Sequence, residues 1–140
     1  MSSFEFDLDM NPSHASLDEL AAGLEEHSLK FIEQPGFRPI ALFARDAAGR
    51  LQGGISGHIN WRWLSISLLW VSPDNRGSGL GSALLKRLES EALTLGCSEA
   101  QVDTLGYQAH QFYLANGYAA FAELADYAEG HSRIYLKKSL

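Results

Sequence analysis

The sequence contains one cysteine, Cys97, in 140 residues. A single thiol excludes a disulfide within the chain and any metal site built from clustered cysteines, and it fits the reducing cytoplasm, where we expect this protein to work. The five histidines are scattered and do not show the paired spacing of zinc ligands, so we predict no metal site.

Basic residues are also scarce, with 11 Lys and Arg against 17 Asp and Glu, for a formal net charge of −6. A nucleic-acid-binding protein needs a basic face for the phosphate backbone, so we predict no nucleic-acid partner. No apolar run reaches the roughly 20 residues that span a bilayer, and the first ten residues lack a signal-peptide pattern. We therefore expect one cytoplasmic domain, residues 1–140, without a membrane partner.

What the sequence does contain is a buried-strand pattern that leads directly into glycines. Leu64 to Val71 is rich in residues that favour a buried strand. Pro73 ends this strand, because proline cannot donate a hydrogen bond to a β-ladder. The three glycines that follow at alternate positions are Gly77, Gly79 and Gly81.

A helix is predicted after these glycines, because apolar residues recur there at helical spacing. The residues of this apolar face are Leu80, Leu84, Leu88, Ala92 and Leu95. The charged residues expected on its outer face are Lys86, Arg87, Glu89 and Glu91. Gly96 is expected to end the helix in a left-handed conformation.

A strand, a glycine-rich turn and a helix together predict an anion site. The first N–H groups of a helix lack partners within it, and the helix dipole adds about half a positive charge there. Glycine lets the backbone approach a diphosphate closely, and Arg76 adds a permanent cation. The alternative is an ordinary hinge loop. A P-loop is excluded by the missing Lys, and a dinucleotide fingerprint by Ser82 where glycine is required.

The motif Arg76-x-x-Gly79-x-Gly81, after Val71-x-Pro73, resembles the acetyl-coenzyme A loop of the GNAT superfamily of N-acetyltransferases. Residues 108–118, with a Phe-Tyr pair and an Asn-Gly-Tyr exit, resemble a later helix of that family. The resemblance implies direct transfer of acetyl from acetyl-CoA to a primary amine of a small molecule or a peptide, with CoA as the product. Such a direct transfer needs no covalent enzyme intermediate.

The same resemblance implies roles for individual residues. The Val71 N–H would polarise the thioester oxygen. Tyr113 would be the general acid for the leaving sulfur, since a phenol with a pKa of about 10 is protonated at neutral pH; the alternative is that Tyr113 only packs beside Phe112. The implied cofactor-binding residues are Leu69, Trp70, Val71, Arg76, Gly77, Ser78, Gly79, Leu80, Gly81, Ser82, Gln108 and Phe112.

The general base is less well defined by the sequence. Asp103 is preferred because its strand should line the cleft, although a solvated or capping carboxylate is the alternative for it. A water chain would need no side-chain base at all. The other candidates are His58, Glu33, Glu123 and Asp126, and each could equally be an ordinary polar residue.

The acceptor site is assigned to an aromatic region near the start of the central strand. Trp61, Trp63 and His58 are predicted to bind the acceptor, with Phe37 closing the pocket. A cation–π contact there would contribute about 0.5–2 kcal/mol. Core packing is the alternative for both tryptophans.

The predicted fold class is α+β (α/β), with a single mixed, mostly antiparallel sheet of about six to seven strands flanked by helices. The expected strands are 3–10, 39–45, 51–61, 64–71, 99–105, 118–124 and 132–136. Further helices are expected from a capping box at Ser16-Leu17-Asp18-Glu19 through Phe31, stopped by Gln34-Pro35-Gly36, and over Tyr107 to Ala115. The fourth and fifth strands should splay into a V-shaped cleft that holds the cofactor.

Two other functions compete with an N-acetyltransferase. One is a non-catalytic module that binds CoA or acetyl-CoA as a sensor, and the other is a nucleotide-binding module of another class. Presence of Tyr113 argues against the first, and the missing Lys argues against the second. A homodimer through the late strands is a further expectation from the resemblance.

Overall fold

A computed structural model describes residues 3–33 and 36–140 of the chain. The chain forms two compact units, Met1–Pro35 and Gly36–Leu140. None of the helices in the described ranges is long and apolar enough to cross a membrane.

Within residues 3–33, the first unit contains one helix, α1 (His14–Ser28). Its N-cap is Ser13, whose Oγ accepts a hydrogen bond from the Ser16 N–H at 3.1 Å. The predicted capping box at Ser16 is therefore wrong by three residues, because the extended backbone of Ser13 already places a hydroxyl over the first turn. The helix also ends before Phe31, and Gln34 and Pro35 of the predicted stop lie outside the described residues.

The strand predicted over residues 3–10 is wrong, since these residues have no regular structure. Alternating apolar residues satisfy one face of a strand, but a strand also needs a neighbour for its N–H and C=O groups. All six strands of the sheet begin at Phe37 or later. At the end of the segment, the Asp9 carboxylate accepts a hydrogen bond from the Asn11 N–H, which favours a local turn.

The second unit contains the sheet, and it agrees with the predicted fold class. The strands are β1 (Phe37–Arg45), β2 (Leu51–Asn60), β3 (Trp63–Val71), β4 (Glu99–Leu105), β5 (Ala119–Ala128) and β6 (His131–Ser139). Their order in the sheet is β1-β2-β3-β4-β6-β5; β3 and β4 run parallel, and the other neighbouring pairs of these six strands run antiparallel. The helices are α2 (Leu80–Thr94) and α3 (His110–Ala115), so α3 begins three residues later than predicted.

The parallel strands separate at their carboxyl ends. Pairing of β3 with β4 joins Trp63–Ile66 to Glu99–Val102 and stops there. β3 continues to Val71 and β4 to Leu105, so both leave the ladder before they end. The predicted V-shaped splay is confirmed, and each strand leads into a helix beyond it.

A β-bulge in the central strand changes which residues face the core. The register shifts so that Ser56 pairs with Leu68 and Gly57 with Ile66, which leaves Ser67 as the extra residue. Ile66 is buried before the bulge, whereas Leu69 packs against the core after it. Bulges of this kind redirect side chains next to functional sites, and the bulge here lies where the cleft opens.

The core lies between α2 and one face of the sheet. Its fully buried members include Leu85 and Leu88 of α2 and Leu64 of β3. Glu89 was predicted on the solvent face of this helix, but it is only 6% exposed, so that prediction is wrong. Glu89 accepts hydrogen bonds from the Tyr118 hydroxyl at 2.7 Å and from the Lys138 ammonium at 3.0 Å, and these partners compensate for its burial.

Candidate active site

The loop between β3 and α2 takes backbone conformations that favour glycine. Gly77 has φ of 77° and Gly79 has φ of 89°, and Gly79 is the N-cap of α2. A Cβ added at either residue would meet nothing within 4 Å, so open space rather than packing surrounds the loop. Glycine is needed here for the left-handed backbone, and the space in front of it is available to a ligand.

The amides of this loop are available as well. The first intrahelical bond runs from the Ala83 N–H to the Gly79 carbonyl at 3.0 Å, which leaves the N–H groups of Leu80, Gly81 and Ser82 without helical partners. No side chain of the described residues caps the helix at Gly79. Within residues 3–33 and 36–140, the N–H groups of Gly77 and Gly79 also have no partner. This arrangement fits a diphosphate bound on a helix N-terminus.

A side-chain network that the sequence analysis missed holds the start of this loop. The Gln52 Oε1 atom accepts hydrogen bonds from the Ser72 hydroxyl at 2.9 Å and from the Asn75 amide at 2.8 Å. The Gln52 amide in turn donates to Asp46 at 3.2 Å. These bonds join β2 to the short 3₁₀ turn Pro73–Asn75, directly before Arg76.

Two adjoining cavities receive the predicted cofactor residues, and each has a volume of about 370 Å³. We call the one over the glycine loop the loop cavity and the one inside the splay the cleft cavity. They share Leu69, Val71, Arg76 and Ala109, so they are continuous. Every predicted cofactor-binding residue lines one or both of them, with the exception of Ser78, whose hydroxyl donates to the Asn75 carbonyl.

The backbone of Val71 is directed into the splay. The Ser72 N–H donates to the Gln52 carbonyl at 2.8 Å, so Ser72 and Gln52 form a hydrogen-bonded pair of the antiparallel ladder. Such pairs alternate with non-hydrogen-bonded pairs, so Val71, opposite Gly53, turns its N–H and C=O away from β2. The Arg76 Nε–H donates to that carbonyl at 3.1 Å, and the Val71 N–H points to the same side.

Tyr113 is buried, but its hydroxyl remains accessible. Its ring packs edge-on against Phe112 and Tyr118, and the side chain is 3% exposed. The hydroxyl has no hydrogen-bond partner among the described residues and is not sealed from solvent, and Tyr113 lines the cleft cavity. Burial, and secondarily the charge of Asp103, raise the pKa of Tyr113 to about 12. Tyr113 therefore packs in the core as one alternative predicted, and it also lines the cleft cavity; its role as general acid stays a prediction.

A third cavity of about 410 Å³, which we call the polar cavity, lies on the sheet face away from α2. Ser67, Val102 and Asp103 line both this cavity and the cleft cavity, so the two adjoin at the splay. The other residues that line the polar cavity are His58, Ser65, Ile66, Gln101, Arg133 and Tyr135. His58 lines this cavity, and its ring stacks on Phe37 with centroids 5.3 Å apart, whereas its contact with an acceptor stays a prediction.

Asp103 makes an ion pair that the sequence analysis missed. The Arg133 Nε–H donates to the Asp103 Oδ2 atom at 2.7 Å, and the Arg133 Nη2 group contacts the same oxygen. Arg133 also donates from Nη1 to the Tyr127 hydroxyl at 2.6 Å. The pairing of β4 with β6 explains this contact, because Asp103 lies opposite Tyr135 and Arg133 is two residues away on the same strand. No local sequence signal connects residues 103 and 133.

The structure does not bring the predicted tryptophans to the three cavities. Trp61 lies in the β2–β3 hairpin turn with φ of 52°, and Trp63 begins β3 at the end opposite Val71. The other predicted base candidates are also dispersed: Glu123 and Asp126 are exposed on β5, and Glu33 belongs to the first unit. No group of three or more His, Cys, Asp or Glu residues within 3–33 and 36–140 is arranged to hold a metal ion.

An open mixed sheet with a splay, and an amide cradle at the helix that follows it, define a protein of the acetyltransferase class. The sequence model of the Acetyltransferase (GNAT) family matches residues 7–118. The chain belongs to this family, as the sequence resemblance indicated.

Individual relatives agree with this assignment. The chain is 42% identical over 107 residues to blasticidin-S acetyltransferase of Streptomyces morookaense, covering 74% of this chain and 79% of the relative. It is 32% identical over 101 residues to acetyltransferase Atu2258 of Agrobacterium fabrum, covering 72% and 74% respectively. A crystal structure of a candidate acetyltransferase from Agrobacterium tumefaciens superimposes with a TM-score of 0.90 at 26% identity, covering 98% of this chain and 100% of that one.

Proposed function

We propose that this acetyltransferase moves an acetyl group directly from acetyl-CoA to a primary amine of a small molecule or peptide. The open amides of the glycine loop, beside the exposed Arg76, are the observation that carries this proposal. They match a diphosphate, and the cleft cavity next to them has room for the arm that follows it. A relative named for acetylating the small molecule blasticidin-S supports a small-molecule acceptor.

The loop residues would hold the cofactor through backbone groups. The N–H groups of Gly77, Gly79, Leu80, Gly81 and Ser82 would bind the diphosphate, with Arg76 adding positive charge. The strand edge from Leu69 to Val71 would position the arm, and the Val71 N–H would face the thioester oxygen. When bound, acetyl-CoA supplies the activated acetyl group, which leaves its sulfur as the amine nitrogen bonds to the acetyl carbon.

The proton transfers are assigned to two side chains that line the cleft cavity. Tyr113 holds a proton for the departing sulfur, and its pKa of about 12 keeps it protonated through the working range of pH. Asp103 accepts the proton of the acceptor ammonium through Oδ1, the oxygen that Arg133 leaves open. Homodimer formation and a cytoplasmic location stay predictions from the sequence.

Two measurements test the proposal on the purified chain. Calorimetry with acetyl-CoA, CoA, ATP and NAD should show binding of the first two only, and a preference for ATP would reject the cofactor assignment. Thiol release in the presence of amines should then show transfer. Tight acetyl-CoA binding without transfer to any amine would favour the non-catalytic sensor instead.

A further inference from the structure

We propose that the acceptor is a zwitterion, with its reacting amine two or three bonds from a carboxylate, as in an α- or β-amino acid. The proposal rests on the proposed N-acetyl transfer and identifies the acceptor class for the same site. Its basis is the charge arrangement of the polar cavity, where Asp103 and Arg133 form a contacting pair with unused hydrogen-bonding capacity on both partners.

Arg133 retains donors that no group among the described residues uses. A guanidinium has five N–H groups. Three of the Arg133 nitrogens each make one contact, two with Asp103 and one with Tyr127. One N–H therefore remains on Nη1 and one on Nη2, and both are available to donate to a carboxylate.

The position of Arg133 is fixed before any ligand arrives. Its guanidinium carbon lies 4.9 Å from the Tyr127 ring centroid and 5.6 Å from that of Tyr135. The side chain is 30% exposed, so two aromatic contacts and an ion pair hold a partly open cation in one orientation. A preorganised guanidinium loses less conformational entropy when it binds an anion.

Asp103 supplies the complementary half. Its Oδ2 atom is used by Arg133, whereas Oδ1 has no hydrogen-bond partner among the described residues. Asp103 lines both the polar and the cleft cavities, whereas Arg133 lines only the polar cavity. An amine on Oδ1 would therefore lie on the cofactor side, and its carboxylate would lie on the far side, against Arg133.

The same arrangement disfavours a polycationic acceptor. The overall negative charge of the chain would attract cations in general. Inside the polar cavity, however, the positive charge of Arg133 balances that of Asp103, and a second ammonium would meet the guanidinium. Like charges in contact discriminate against the wrong ligand, so the cavity selects one amine with one nearby anion.

A matched series of acceptors tests the inference directly. β-Alanine, propylamine and 1,3-diaminopropane share a three-carbon length and differ in carrying a carboxylate, a methyl group or a second ammonium. With saturating acetyl-CoA, thiol release should show a kcat/KM for β-alanine at least about tenfold above that for propylamine, since hydrogen bonds to charged groups are worth that factor. The diamine should be slowest. L-Leucine against L-leucinamide repeats the test for α-amino acids.

Variants assign the effect to Arg133. Arg133→Gln removes the ion pair with Asp103 for every amine, so the measured quantity is the difference between acceptors. The variant should lower kcat/KM for β-alanine about tenfold more than kcat/KM for propylamine, while the Kd of acetyl-CoA stays unchanged. Arg133→Lys keeps the charge without the fork and should recover only part of the loss. Arg87→Gln is the control, because Arg87 pairs with Glu91 on α2 and lines none of the three cavities. If Arg133→Gln fails to fold, Tyr127→Phe removes a single bond to Nη1 and should still raise KM for β-alanine selectively.

The outcomes separate the inference from the proposed function. Preference for propylamine or the diamine, or an Arg133 effect equal for all three amines, overturns the zwitterion inference and leaves N-acetyl transfer standing. Absence of transfer to every amine, with acetyl-CoA still bound, overturns the proposed function and the inference with it.

Discussion

The loop cavity and the polar cavity lie on either side of the splay and are lined by different kinds of chemical group. The loop cavity presents backbone N–H groups, held open by two left-handed glycines at the start of a helix. The polar cavity presents side chains from β2, β3, β4 and β6, joined by the contact of Arg133 with Asp103. The loop cavity is formed by a local segment, whereas the polar cavity is formed by residues that the sheet brings together.

This difference determines how each region responds to change. A backbone site depends on a few conformations, so it tolerates most side-chain substitutions and fails when a glycine is lost. A side-chain site can acquire a new specificity by one substitution, since each group makes its own contact. We therefore expect cofactor binding and acceptor choice to respond to separate sets of substitutions, and the following predictions test that separation.

Tyr113→Phe should have the largest effect on the rate, because it removes the proposed general acid. Tyr113 lines the cleft cavity, which lies between the two regions. Loss of a general acid typically costs about 10²–10⁴-fold in rate, so kcat should fall by that factor while the Kd of acetyl-CoA and the acceptor KM stay unchanged. The Phe ring retains the packing against Phe112 and Tyr118. Assays of thiol release measure kcat and the acceptor KM, and calorimetry measures the Kd of acetyl-CoA.

The pH dependence gives a second check on Tyr113. Its pKa is raised above that of a free phenol to about 12, so the native enzyme should show no loss of kcat from ionisation of this group as pH rises to about 10.5. Tyr107→Phe, at an exposed tyrosine outside the three cavities, is the matched control. Equal rates for Tyr113→Phe and Tyr107→Phe would remove the assigned role.

Gly79→Val should weaken cofactor binding in the loop cavity and leave the polar cavity unaffected. A β-branched residue in a left-handed conformation costs roughly 1–3 kcal/mol, and its side chain would enter the space in front of the amides. We expect the Kd of acetyl-CoA to rise about 100-fold. Gly49→Val is the control for strain, because Gly49 also has positive φ and open space but lies in the β1–β2 turn. If both variants bind acetyl-CoA equally well, the glycine loop is not the diphosphate site.

The sequence supports predictions about local features much better than about distant contacts. The limits of β4 were predicted to the residue, and the residues predicted for the cofactor come from two short segments, 69–82 and 108–112. In segment 3–10, apolar and polar residues alternate as in a strand, but the segment has no regular structure, because a strand also needs a partner to pair with. The bulge at Ser67 leaves no signal, because apolar residues occupy every position from Leu68 to Val71.

Long-range pairing explains the remaining errors. Glu89 looks like a solvent residue until Lys138, 49 residues later, is known to reach it. Arg133 lies in the last strand and gives no hint of Asp103 until the order β4-β6 is known. The residues predicted for the cofactor come mainly from one local segment and line adjoining cavities, whereas Arg133 joins His58 and Asp103 at the polar cavity only through the strand order.

Glu89→Gln should lower the free energy of unfolding, and this effect should not be specific to the loop cavity or the polar cavity. The amide keeps the shape but loses the charge that binds Lys138, so we expect a loss of about 2 kcal/mol in the free energy of unfolding. Glu91→Gln is the matched control on the same helix, where the exposed pair with Arg87 should contribute only about 0.3–0.5 kcal/mol. Urea unfolding measures both. A similar small loss in both variants would show that the buried pair does not stabilise α2.

Gln52→Met should give the smallest effect of these variants. Its effect on the Kd of acetyl-CoA should distinguish the loop cavity from the polar cavity most clearly. Methionine fills similar space but cannot accept the hydrogen bonds of Ser72 and Asn75, so the turn before Arg76 becomes less well held. A lost contact of about 1 kcal/mol corresponds to roughly a fivefold rise in the Kd of acetyl-CoA. Gln101→Met removes one bond, to Ser65 in the polar cavity, and should leave that Kd unchanged. If Gln101→Met weakens cofactor binding as much as Gln52→Met, the two cavities are coupled through the sheet and are not separate sites.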